Sequence, residues 1–123
     1  MAETYDVHLA VLPLGGFNGA TEVPLLKLPP SGGGITVLEA NLVGPAAGTA
    51  IGGKIVTMSD AGTPAINGTV GAFAGTVVTA AGVAFEATLS GAYVAQGYWL
   101  GFDQTSGTVP AGTFIAISYI MGK

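Results

Sequence analysis

Few side chains in this sequence have chemistry to offer. His8 is the single histidine of the 123 residues, and Glu3 and Asp6 are the carboxylates nearest to it. One imidazole beside two acids is a poor set of metal ligands, and no cysteine is present to add a thiolate. A Ser–His–Asp relay would have to draw on Ser31, Ser59, Ser90, Ser106 or Ser118. All five stand in turn or strand surroundings, and no Gly-x-Ser-x-Gly elbow presents a serine. Glu22, Glu39, Asp60, Glu86 and Asp103 are scattered along the chain. Two of them facing each other across strands would make a glycosidase-like pair, but spacing singles out no pair. These residues predict no catalytic centre, no metal and no cofactor.

Two short motifs need a decision. Gly48-Thr49-Ala50-Ile51-Gly52-Gly53-Lys54-Ile55 comes close to a phosphate-binding loop, but Ile55 stands where a hydroxyl for Mg²⁺ is needed. Val56-Thr57-Met58 then favours a strand, whereas phosphate is held at a helix N-terminus. A glycine-rich β-connection is the better reading. Asn67-Gly68-Thr69 fits the glycosylation acceptor pattern, but Asn-Gly also tolerates positive φ, so a tight turn or a local kink is expected there. Tyr93, Tyr98 and Trp99 offer flat rings for stacking on sugars. In an extended strand Tyr98, Leu100 and Phe102 share one face and Trp99 takes the other, so a large aromatic must look away from the core. With so little surface charge, a subunit contact is the favoured use for it.

Charge is the most informative part of the composition. The chain has three lysines, no arginine and seven acids, giving a net charge of −4. A folded monomer of this mass exposes on the order of 6,000 Å². Ten charged side chains cannot dominate that surface. It must consist of Thr, Ser, Ala and Gly, or be covered by neighbouring subunits. The absence of arginine argues against nucleic acid as a partner. No apolar run reaches the ~18–20 residues of a membrane helix, so no membrane partner is expected. Glu3 and Asp6 stand where a secretory leader would be basic, which predicts no signal peptide and synthesis in the cytoplasm.

The elements that must position these residues are strands. Thr4–Leu12 alternates, with Tyr5, Val7, Leu9 and Val11 as the expected inner row and Asp6, His8 and Ala10 as the outer one. Val23–Leu28 contains Pro24, which lacks a donor, so it is an edge strand or an extended lasso. Ile35–Val43, Lys54–Ser59, Ile66–Phe73 (continuing over Gly75–Thr79) and Val83–Leu89 follow. The last third holds two apolar runs, 95–102 and 112–121, bridged by the turn-like Asp103–Ala111. They read as an antiparallel pair closing the fold. About eight short strands with no helical period predict a single all-β domain, an antiparallel β-sandwich or jelly roll. Residues 1–30 form an N-terminal strand plus an extended proline-containing segment, and 35–123 form the sandwich core.

Ile35-Thr36-Val37-Leu38-Glu39-Ala40, the Gly/Ala/Thr-rich middle, Ala92–Phe102 and the terminal Ile115–Gly122 together resemble small tailed-phage virion proteins of the head decoration (cement) type. The resemblance lies in layout over 35–123. It implies a non-enzymatic structural protein on the outer surface of a phage capsid, often a trimer, that binds neighbouring major capsid protein subunits and carries no catalytic residues. The N-terminal stretch and the 21–30 segment are then expected to make the intermolecular contacts. Tyr5, Val7, Val23, Pro24 and Leu25 are the interface candidates there, with Tyr98 and Trp99 from the last third. The alternative is a carbohydrate-binding or adhesive β-sandwich, such as a receptor-binding fibre tip, that uses the aromatics.

Overall fold

The computed structural model of the chain describes residues 6–18, 21–44, 49–59, 65–73 and 84–122. Glu3, Tyr5, Gly48, Asp60 and the continuation over 75–79 lie outside these. The described residues form eleven strands and no helix. They are β1 (His8–Pro13), β2 (Phe17–Asn18), β3 (Thr21–Lys27), β4 (Ile35–Val43), β5 (Thr49–Ser59) and β6 (Ala65–Ala72). After them come β7 (Ala84–Glu86), β8 (Thr88–Leu89), β9 (Tyr93–Val94), β10 (Trp99–Val109) and β11 (Phe114–Met121). Two antiparallel sheets pack as a sandwich. Sheet A has the order β1-β11-β4-β7, with β9 also on β4. Sheet B has the order β2-β10-β5-β6-β8, with β3 also on β10. The chain passes back and forth between the sheets, and the last two long strands end beside the centre of each, which is the jelly-roll arrangement.

The core lies between the inner faces. Val37, Ala40 and Leu42 of β4 meet Ile115 and Ile117 of β11, and these face Ile55, Val70, Leu100 and Phe102 of sheet B. Phe73 tilts against Phe102 with ring centroids 6.4 Å apart. Each aliphatic side chain buried in this way contributes about 1.5–3 kcal/mol. In β4 the strict alternation would send Ala40 and Leu42 outward after Ile35 and Val37. The register against β11 shifts between Ser118 and Tyr119, so Leu38 and Glu39 both face out and the inner row resumes at Ala40.

Several expectations need correction. The 95–102 and 112–121 runs are not paired with each other, because β10 belongs to sheet B and β11 to sheet A. The polar stretch from Asp103 to Val109 is not a turn but the second half of β10, held by β5 on one side and by β3 and then β2 on the other. The reversal is confined to the residues around Ala111 and Gly112, where Thr113 N–H donates to the Pro110 carbonyl at 3.2 Å. Asn67-Gly68 lies inside β6. Thr57 pairs with Gly68 and Met58 with Ile66, so Asn67 is the extra residue of a bulge, the kink and not the turn. The 83–89 strand is split: β7 pairs with β4 in sheet A, Ala87 N–H donates to the Ala40 carbonyl, and β8 crosses to β6 in sheet B. The chain then returns to sheet A at β9.

Of the two readings of the segment that contains Pro24, the edge strand holds and the lasso does not. β3 is an edge strand of sheet B paired from Thr21 to Lys27 with β10, and Pro24 is tolerated because it lies at that edge. Beyond it, Gly32, Gly33 and Gly34 all have positive φ. Gln96 accepts from the Gly33 N–H at 3.0 Å, and the Tyr93 hydroxyl donates to the Gly33 carbonyl at 2.7 Å, so the crossing into sheet A is pinned from both sides.

Candidate functional site

The first strand is inverted relative to expectation. β1 pairs with β11 so that Ala10 lies opposite Ile117 and Leu12 opposite Ile115, both inner-face residues. Residues directly opposite share a face, so Ala10 and Leu12 point inward and the apolar row Leu9 and Val11 points to solvent. Leu9 is 81% exposed, Val11 62% and the preceding Val7 57%. His8, on the inward side at the end of the strand, stacks on Tyr119 with centroids 5.3 Å apart and 24° between the planes.

On the same outer face β11 adds Phe114, Ala116 and Ser118, and β4 adds Leu38 and Val43. A shallow depression of about 220 Å³ crosses the three strands, lined by Leu9, Val11, Ala116 and Ser118 and bordered by Glu39 and Asn41. Asn41 donates to the Glu39 carboxylate at 2.7 Å, so the polar border is internally bonded. An apolar face of several strands, rimmed by polar residues, has the composition of a contact surface.

The outer face of sheet B is built differently. Trp99 lies opposite Lys27 on one side and Met58 on the other, and Gly101 lies opposite Val56. Met58 and Val56 are buried although they stand outside the core between the sheets. Met58 reaches over Gly101, where an added Cβ would stand 2.7 Å from the Met58 terminal methyl. This face therefore carries a satellite apolar cluster of its own. Sequence reasoning missed it, because strict alternation places only one apolar row inside. Further along, Asp103 lies opposite Glu22 on β3 and opposite Lys54 on β5. The fold thus brings two of the scattered acids together across strands. They border an open depression of about 330 Å³ with Thr21 and Gln104. Like charges directly opposite destabilise, and Lys54 on the far side of Asp103 offsets part of that. Gln104 points the other way, into the interior.

Of the interface candidates, Val7 is exposed beside β1 and Pro24 is exposed on the β3 edge, while Val23 is half-buried. Leu25 and Tyr98 are half-buried and pack against the core. Trp99 is half-buried on the face opposite Leu100 and Phe102, as alternation requires. Tyr5 lies outside the described residues. Leu9, Val11, Leu38, Ile66 and Met121 are exposed large apolar residues that sequence reasoning did not select. Gly52 and Gly53 of the phosphate-loop lookalike are interior residues of β5, with no helix after them, and Gly53 is there because the Phe102 ring occupies the place of its Cβ. Among the described residues no three of His, Cys, Asp and Glu stand close enough to hold a metal ion. No helix of the described residues is long and apolar enough to cross a membrane. No protein-family model, no curated protein and no solved structure matches the chain.

Proposed function

We propose that the chain is a non-enzymatic structural protein of a phage virion, which decorates the outer capsid surface and stabilises it by binding neighbouring major capsid subunits. The observation that carries this reading is the outer face of sheet A, where Leu9, Val11 and Leu38 stand exposed together with Val7. Water contact with such a row is unfavourable, and a chain whose working state covers it gains what the isolated fold forgoes. The low charge count points the same way: ten charged residues among 123 suit a protein that works within an assembly. The phage setting comes from the resemblance in layout.

The test is attachment. Purified chain is mixed with capsids that lack their decoration, and the mixture is sedimented. Saturable co-sedimentation at a fixed ratio to the major capsid protein, with capsids that withstand more heat, is the expected result. Absence of binding overturns the reading. If glycans also shift the emission of the single Trp99, the sugar-binding alternative takes its place.

A further inference from the structure

The edges of the two sheets are not treated alike. β3 carries Glu22, Pro24 and Lys27, and its register shifts opposite Leu100 and Gly101. β7 is three residues long and carries Glu86, and β2, β8 and β9 have two residues each. Charge, proline, bulges and shortness are the devices by which natural proteins keep sheet edges from pairing with other chains. β1 has none of them along its length. It runs for six residues without an acid or a lysine, pairs with β11 without a register shift, and reaches a proline only at its last residue. Among the described residues nothing pairs with its other edge.

From this contrast we infer that β1 is a pairing edge, and that its partner is β1 of a second copy of this chain, joined antiparallel about a two-fold axis at Ala10. The inference rests on the reading that the chain works in an assembly, and it names the self-contact. A second copy fits because the strand complements itself. With Ala10 opposite Ala10, Leu9 of each copy faces Val11 of the other on the outer face, an apolar pair, and no charge meets a charge. Antiparallel pairing about one residue works whichever way that residue's N–H and C=O point, because its neighbours alternate in step on both copies. The two A sheets become one, and their outer apolar faces lie side by side on the same surface. An isologous contact closes at two copies, so it gives a dimer where the family resemblance implies a trimer. A six-residue edge is about 20 Å long, so the contact is at the small end of the interface range and association depends on concentration.

Two measurements test this on the full chain. In sedimentation equilibrium from low micromolar to near-millimolar protein, the mass should rise from 12.1 kDa towards twice that value and stop. The double variant Leu9→Lys/Val11→Lys, at exposed positions, should weaken association about tenfold or more by setting ammonium groups against each other. Glu86→Lys on β7, at the far edge of sheet A, should leave it unchanged. Because the chain has no cysteine, Ala10→Cys should form a disulfide-linked dimer on mild oxidation, since the two Cα atoms would stand about 4.5–5.5 Å apart. Ile66→Cys, exposed on β6, should not. A trimer, or association unaffected by the lysine pair, overturns the two-fold contact and leaves the capsid reading standing if co-sedimentation persists. A monomer at every concentration that still attaches to capsids does the same. A monomer that does not attach overturns both.

Discussion

At the residue scale the most constrained positions are glycines that give way to a neighbour. Gly53 leaves the space that the Phe102 ring fills, and Gly101 leaves the space under the Met58 thioether. Gly53→Ala forces the largest fully buried side chain to move, and overpacking of this kind costs about 1–3 kcal/mol. The urea midpoint should fall accordingly with the slope unchanged. Gln104 is the opposite case, a polar group the core does not fully use. It is 1% exposed, its amide N–H donates to the Gly107 carbonyl at 2.8 Å, and its amide oxygen has no partner. An unmade hydrogen bond in the interior costs about 1–3 kcal/mol. Gly107 is only half-buried, so water can replace the lost donor there. Gln104→Met should therefore leave the thermal midpoint unchanged or raise it, and a clear drop would show that the amide oxygen is satisfied in solution.

At the element scale, the sequence made some strands legible and concealed the sidedness of others. β4 was read with its full span because β-branched and apolar residues alternate there between turn-forming stretches. Its bulge at Leu38–Glu39 was not legible, since it is set by the register of β11. In β1 alternation gave two rows but not which row is inside. The row Tyr5, Val7, Leu9 and Val11 reads as the natural inner one, yet Ile115 and Ile117 on the neighbouring strand select Ala10 and Leu12 instead. The second half of β10 was hidden by its composition: Asp, Gln, Thr, Ser and Gly read as a turn, and pairing on both sides overrides that preference. The same pairing juxtaposed Glu22 and Asp103, which spacing could not foresee. Glu22→Lys turns a like-charged cross-strand pair into an attractive one and should raise stability by about half a kcal/mol. The gain should shrink in high salt, because these side chains border open solvent.

At the scale of the whole molecule, the two sheets are tied together as well as packed. Residues 84–94 begin in sheet A, cross to β6 in sheet B and return to β4 in sheet A. The two sheets therefore share a continuous stitch and should unfold as one unit, with circular dichroism and Trp99 fluorescence giving the same transition. Removing residues 114–121 deletes the strand between β1 and β4 and should abolish that transition altogether. This layout also has a consequence for biosynthesis. Among the interior strands β10 and β11 come after β4, β5 and β6 in the chain, and β1 must wait for a partner more than a hundred residues downstream. A chain emerging from the ribosome can pair β5 with β6 but can complete neither sheet until residues 99–121 are out, and non-local pairing of this kind is slow. A product interrupted before these strands would thus never display the finished exterior of either sheet.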